Sequence, residues 1–324
     1  MTEEPALSLV LPTYNVSKYI DRCLQSCIEQ SCKNIEILVV DDCGADDSIS
    51  RAMRWAELDP RIRIVSNARN FGTYHARRVG TENARADYVL YIDPDDTLHR
   101  DACMSIVLAT EQKKPDIVLF EFETTPAPPW HQKPSVVPHP RLRSLNLLDA
   151  VMQTPHLPFG TPGKAYSTRI AAAAFSALGI STEERLTFAE DALLFFAALT
   201  ISSTFVVIDK RLYIYHRNTS SITQQIDSTS TLRNAEQIDA ILAHMERISQ
   251  RGQTGFEPEQ QKSLFEFFRS RLSCEKHLIS RHLFDDNGKS LYFSNVLKAL
   301  KEQRNVKELF RILIFLFTFG QTRP

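Results

Sequence analysis

Four short apolar runs, separated by amphipathic segments, set the tightest limit on how this chain folds. Residues 7–11, 35–40, 61–65 and 88–92 are apolar stretches bounded by polar residues, as buried strands are. Between them, residues 16–30, 48–57 and 73–84 repeat their apolar positions at helical spacing. Ser17 is a candidate cap for the first helix, and Asp46 or Asp47 opens the second. Strands alternating with helices imply βαβ units and a mostly parallel sheet, an α/β fold. Ligands of such sheets bind at the carboxyl ends of the strands. Three of these strands end in polar groups: Thr13-Tyr14-Asn15, Asp41-Asp42, and Asp93-Pro94-Asp95-Asp96. The three ends are expected to line one crevice.

The third of these ends carries the most chemistry. Pro94 cannot donate to a sheet ladder, so the strand stops there. Asp93, Asp95 and Asp96 then crowd three carboxylates into four residues. Such a group repels itself unless a cation sits in it, and a hard divalent ion bridging substrate phosphates is the usual partner. The plain alternative is an acidic loop capping a helix that begins near Thr97.

Further along, residues 101–112 read as a helix and 116–122 as a strand. Residues 124–140 hold six prolines and read as an extended loop or lid, or as a passive linker. A glycine- and proline-rich loop at 155–164 precedes a helix at 168–178. Residues 192–200 form an apolar helix, and 204–208 and 212–215 two short strands. Beyond about residue 227 the pattern is polar and helical. Near the end, Lys298, Lys301, Arg304, Lys307 and Arg311 precede an apolar run, 312–317. A basic helix running into an apolar tail suits a membrane surface, so residues 298–320 are a candidate peripheral contact, or else a helix packed on the body.

With 38 basic and 39 acidic residues, the charge of −1 gives no reason to expect nucleic acid as a partner. The six cysteines form no CxxC pair and read as reduced thiols, consistent with a cytoplasmic protein. Residues 1–6 are short and acidic, unlike a signal peptide, and no run reaches the length of a membrane span.

Six elements together resemble the family 2 glycosyltransferases, which have the GT-A nucleotide-diphospho-sugar transferase fold. They are Leu11-Pro12-Thr13-Tyr14-Asn15; Val39-Val40-Asp41-Asp42-Cys43-Gly44-Ala45-Asp46-Asp47-Ser48; Asn70-Phe71-Gly72 with Ala76-Arg77; Asp93-Pro94-Asp95-Asp96; Glu190-Asp191; and Tyr213-Ile214-Tyr215-His216-Arg217 with Ser221-Ile222-Thr223. The resemblance covers roughly the first 220 residues. It implies a transferase domain at 1–225, with a nucleotide-sugar half at 1–123 and an acceptor half at 124–225, followed by a helical region at 226–324. It further implies inverting, metal-dependent transfer from a UDP-sugar to a hydroxyl of a glycan or lipid-linked acceptor in surface polysaccharide synthesis.

The family's roles then fall on matching positions. Pro12, Tyr14 and Asp42 would hold the uracil, and Arg77 would lie near the base or diphosphate. Asp93 would contact ribose or base, Asp95 would ligate Mn²⁺ or Mg²⁺, and Asp96 would assist, through water or directly. Asp191 would be the base that deprotonates the acceptor, with Glu190 binding acceptor or orienting the site. At the start of a helix, the same two carboxylates also suit a plain charged N-terminus. His216 and Arg217 would offset charge on the departing UDP, or sit in a solvent-facing turn. Gly163-Lys164-Ala165-Tyr166 resembles the family's acceptor-side segment. Departures are Gly44, where serine is common, Arg78, where asparagine is common, and His216, where arginine is common.

Other readings are weaker. A dinucleotide-binding dehydrogenase needs GxGxxG after the first strand, where Pro12-Thr13-Tyr14-Asn15 stands. A non-catalytic GT-A-like binding protein and a metal-dependent sugar-nucleotide hydrolase remain alternatives, told apart by whether donor is turned over and whether acceptor speeds it.

Overall fold

A computed structural model describes residues 4–127, 136–138, 146–154, 157–218, 228–251, 256–280, 288–303 and 312. The chain divides into two compact units, Met1–Arg217 and Asn218–Pro324. The first is built on β1 (Leu7–Thr13), α1 (Ile20–Ile28), β2 (Ile35–Asp41), α2 (Ser48–Leu58), β3 (Ile62–Ser66), α3 (Thr73–Asn83) and β4 (Tyr88–Tyr91). It continues through β5 (Thr97–Leu98), α4 (Ala102–Lys113), β6 (Ile117–Thr125), α5 (Leu147–Met152), β7 (Lys164–Ser167), α6 (Thr168–Leu178), α7 (Glu190–Ile201) and β8 (Phe205–His216).

These strands form one eight-stranded sheet in the order β3-β2-β1-β4-β7-β6-β8-β5. β1 pairs in parallel with β2 and β4, and β2 with β3. β7 runs antiparallel between β4 and β6, so the first residue of β7, Lys164, lies at the end of the sheet where β4 finishes. The parallel half therefore delivers Thr13, Asp41 and the Asp93 turn to one edge, as the alternation of elements anticipates. The core under that edge is aliphatic: Leu9, Leu11, Ile37, Val39, Leu90 and Ile92 are all fully buried.

Helix α3 lies close against β1 and β2. A β-carbon on Gly80 would come within 2.2 Å of Val10 Cγ1 and 3.2 Å of Val40 Cγ2. Gly80→Ala should therefore lower stability by about 1–3 kcal/mol through overpacking, more than the helix-propensity gain of alanine returns. A urea midpoint at or above the wild-type value would refute that contact.

The structure corrects three local expectations. Helix α1 starts at Ile20 with Tyr19 at its cap, so Ser17 caps nothing; its N–H is tied to Asp46 Oδ2 at 2.8 Å. The residues after the acidic turn do not begin a helix. Thr97 and Leu98 form β5 against β8, and the next helix begins at Ala102. The two expected strands at 204–208 and 212–215 are one strand, β8. The charged residues 209–211 imitate a turn in the sequence, but they are exposed residues of a strand whose register against β6 shifts beside them, as a β-bulge does. The proline-rich lid falls mostly on 128–135 and 139–140, outside the described residues.

The second unit holds α8 (Ser228–Arg251), α9 (Pro258–Ser280) and α10 (Gly288–Gln303), with α8 packed on α9 and α9 on α10. Ile312 is buried with Val296. The rest of the candidate membrane segment, 304–311 and 313–320, and the Ser221-Ile222-Thr223 element lie outside the described residues. Among the described residues, no helix is long and apolar enough to cross a membrane.

Candidate active site

Arg77 is the centre of the crevice. It is 3% exposed and stands on α3, below the ends of β1 and β4. Its Nη2 donates to Asp93 Oδ1 and its Nη1 to Glu190 Oε1, each at 2.8 Å. One guanidinium therefore joins the acidic turn after β4 to the carboxylate pair that opens α7, 113 residues away in sequence. Burial works against the Arg77 charge, but Asp93, Glu190 and Asp191 outweigh it and hold the guanidinium firmly protonated.

The carboxylate pair is shifted the other way. Burial pushes the Glu190 carboxyl up, against the lowering field of Arg77, and Asp191 and Asp93 add to the rise. Burial also raises Asp191, which Arg77, the Ala192 N–H and Lys164 oppose. Carboxylates pulled between burial and a cation are suited to accepting a proton near neutral pH. Asp191 is the more open of the two, while Glu190 is buried. Asp191 Oδ1 accepts from the Ala192 N–H in the first turn, and the N-cap position is held by Ala189, in the left-handed region at φ 60°. A non-glycine residue there costs roughly 1–3 kcal/mol and is a common feature of functional sites. Asn15 and Cys43, at the ends of β1 and β2, share that conformation.

The acidic turn separates its three carboxylates. Asp93 is held by Arg77, and Asp95 is partly exposed. Asp96 is 0% exposed and faces inward. Its Oδ2 accepts from the Tyr213 hydroxyl and its Oδ1 from the His216 N–H, each at 2.7 Å. Burial, then Asp93 and Asp95, push it up to about 8. Asp96 therefore fastens the turn to β8, with both of its carboxylate oxygens engaged there.

Asp42 is also more occupied than the sequence suggests. It is buried; Oδ1 accepts from Asn67 Nδ2 and the Phe71 N–H, and Oδ2 from the Gly72 N–H. It secures the loop at 67–72, and its neighbour Asp41 is the more open carboxylate. Pro12 and Thr13 are buried, whereas Tyr14 is 43% exposed and free to present its ring to a planar base. Gly44 has a steric reason to stand where serine is common: a β-carbon would lie 2.9 Å from Asn15 N and Asn15 Oδ1.

At the end of β8, His216 Nε2 meets Thr97 Oγ1 at 2.9 Å, and burial, then Arg22, hold its imidazole below the usual range. Arg217 is exposed, with its N–H on the Thr125 carbonyl. Two further groups escape sequence reasoning. Arg22 on α1 donates from Nη2 to the Asp95 carbonyl at 2.6 Å. Lys164, at the head of β7, is 1% exposed. Only its place in the Gly-Lys-aromatic segment hints at a role.

Among the described residues, no three His, Cys, Asp or Glu side chains converge as a metal cage. Asp95 is partly exposed and stands beside an Asp93 whose Oδ1 is committed to Arg77. Few protein oxygens suit a hard divalent ion that takes its remaining ligands from substrate phosphates and water.

Residues 8–172 match the family described as glycosyl transferase family 2, a little over half of the chain. The chain belongs to that family. Its fold is the GT-A fold, followed by a helical C-terminal region. It is 29% identical over 229 residues to "Uncharacterized glycosyltransferase EpsJ" of Bacillus subtilis, covering 68% of this chain and 63% of that protein. It is 37% identical over 127 residues to "Putative glycosyltransferase EpsH" of the same organism, covering 38% of this chain and 36% of that one. The matches thus span less than two thirds of these relatives. Staphylococcus aureus TarS 1–349 in complex with UDP-GlcNAc superposes with a TM-score of 0.62 at 17% identity, covering 98% of this chain and 93% of that one. The mannosyltransferase PcManGT of Pyrobaculum calidifontis, in complex with GDP-Man and Mn²⁺, gives 0.57 at 16% identity, covering 100% and 82%. Both likenesses concern the fold.

Proposed function

We propose that this glycosyltransferase moves a sugar from a UDP-sugar to a hydroxyl of a glycan or lipid-linked acceptor, with inversion, in surface polysaccharide synthesis. The observation that carries the reading is the Arg77 bridge, which puts the Asp93 turn and the Glu190-Asp191 pair at one point on the sheet edge. A donor diphosphate at the turn would then have its anomeric carbon within reach of a base on α7. The UDP-GlcNAc complex of the TarS neighbour supports the donor class. In this reading residues 1–123 hold the donor, 124–225 shape the acceptor side, and 226–324 are a helical extension.

The chemistry is a single displacement. Tyr14 and the backbone after Pro12 hold the base, with Asp42 fixing the loop beside it. Asp191 takes the proton of the acceptor hydroxyl, whose oxygen attacks the anomeric carbon from the face opposite the diphosphate. The bond from that carbon to the β-phosphate oxygen breaks, and UDP leaves with the electron pair. In this reading His216 and Arg217 offset the charge that develops on UDP. Asp95, with Asp93, would hold Mn²⁺ or Mg²⁺, which when bound neutralises diphosphate charge.

A panel of UDP-, GDP- and CMP-sugars with Mn²⁺, Mg²⁺ or EDTA, read by thermal shift and by hydrolysis, tests the reading. One UDP-sugar should stabilise the protein in a metal-dependent way, and adding acceptor should raise turnover. Stabilisation by a GDP- or CMP-sugar alone would overturn the donor assignment. Hydrolysis that acceptor does not accelerate would turn the reading toward a hydrolase. Asp95→Ala should remove the gain in UDP affinity that metal confers, measured by calorimetry with and without Mn²⁺. An unchanged gain would remove Asp95 from the metal site.

A further inference from the structure

Lys164 is a buried cation for which the mechanism above has no use. Its ammonium donates to the Gly160 carbonyl and to the Pro162 carbonyl, the latter at 3.4 Å, and lies 5.0 Å from the centre of the Phe195 ring on α7. The loop it grips touches the base: a β-carbon on Gly160 would lie 3.3 Å from Asp191 Oδ2. Burial lowers the Lys164 ammonium to about 7, and the charge that works against this is Asp191.

Burying an ammonium is expensive unless partners offset it. A lysine needed only to close a loop over an apolar helix would be replaceable by methionine. The arrangement instead places the cation at the root of the loop that carries Gly160 alongside Asp191. The groups acting on Asp191 come from four places: Arg77 on α3, Asp93 after β4, Lys164 on β7, and Glu190 beside it on α7, with the Tyr166 ring on β7 also close. Arg77 is committed to Glu190 and Asp93 by direct hydrogen bonds. Lys164 therefore supplies Asp191 with positive charge from the acceptor side.

We propose that Lys164 is a positioning residue for the transfer step: it clamps the 160–163 loop over Asp191 and keeps that carboxylate ionised when the acceptor hydroxyl arrives. The loop so held forms the acceptor-side wall against the base. This rests on Asp191 being the base, and the experiment separates the two ideas.

Lys164→Met, Lys164→Arg and Asp191→Asn are compared for UDP affinity, kcat, and kcat/KM against pH. Without the cation, Asp191 releases its proton less readily. The acid limb of Lys164→Met should move to higher pH by about half a unit or more. Its kcat should fall about tenfold or more, with UDP affinity kept. Lys164→Arg, which keeps the charge, should keep the limb in place. An unmoved limb and unchanged kcat in Lys164→Met, with Asp191→Asn inactive, would overturn the proposal and leave Lys164 as packing. Near-normal turnover in Asp191→Asn would overturn the base assignment and, with it, this role. Should Lys164→Met fail to fold, Gly160→Ala decides. Its added methyl presses on Asp191 Oδ2, so kcat should fall at unchanged UDP affinity, and an unchanged kcat would overturn the loop's part.

Discussion

Asp191→Asn is expected to abolish transfer while leaving the donor site intact. The amide keeps the shape of the side chain but cannot take a proton from the acceptor. Loss of a general base costs about 10²–10⁴-fold in rate. The fold should survive, because the Arg77 bridge runs through Glu190 and Asp93 and, among the described residues, Asp191 forms no ion pair of its own. Burial already penalises the Asp191 charge, so removing it is not destabilising on that account. The measurement is initial rate at saturating donor and acceptor, with UDP affinity by calorimetry in parallel. A large fall in kcat at unchanged UDP affinity is the expected pair of results. Near-normal turnover would exclude Asp191 as the base and move attention to Glu190.

Arg77→Met should be the most damaging single change in the first unit. The variant leaves two carboxylates, Asp93 and Glu190, facing one another without the cation between them. Removing one partner of a buried charge network costs about 3–5 kcal/mol. Stability, read as a thermal or urea midpoint, should fall accordingly, and transfer should be lost with it. The defect should depend on pH. The Glu190 carboxyl is raised above its ordinary value of 4.5 by burial, and loss of the guanidinium that holds it down raises it further. A carboxyl with a raised folded pKa is fully tolerated below its unfolded value, and its contribution is lost as pH rises through the folded one. Because the unfolded chain is the same in both, the gap between variant and wild type should stay constant through acid pH and widen only as pH rises past the wild-type Glu190 value of about 7 toward the higher value of the variant. Adding Glu190→Gln to Arg77→Met should restore part of the stability, since one orphaned charge goes. Strict additivity of the two changes would contradict direct coupling.

Much of the architecture was legible in the chain. The alternation of apolar runs and amphipathic segments identified the parallel half of the sheet. The polar residues after residues 11, 40 and 92 marked the edge where ligands bind. The motifs named the family. Less legible were features whose sequence signature imitates something else. Residues 209–211 look like a turn because they are charged, yet a bulged strand carries charge where it faces water. Asp96 looks like a third metal ligand because it adjoins Asp95, yet it is fully buried and its two oxygens are taken by the Tyr213 hydroxyl and the His216 N–H. Ala189 takes a left-handed backbone where glycine would have given a signal.

What the sequence determined by itself is local: which segments extend, which coil, and where polar groups interrupt them. Those choices depend on contacts between residues a few positions apart, so periodicity and turn chemistry suffice to read them. What only the tertiary structure decided is which polar groups share a partner. Arg77 meets a residue 16 positions away and another 113 positions away through the same guanidinium. Lys164 is brought into the field of Asp191 by β7 pairing antiparallel with β4 and starting at the crevice. In a low-dielectric interior these few long-range pairings fix the protonation and direction of every group in the site, and no local pattern encodes them.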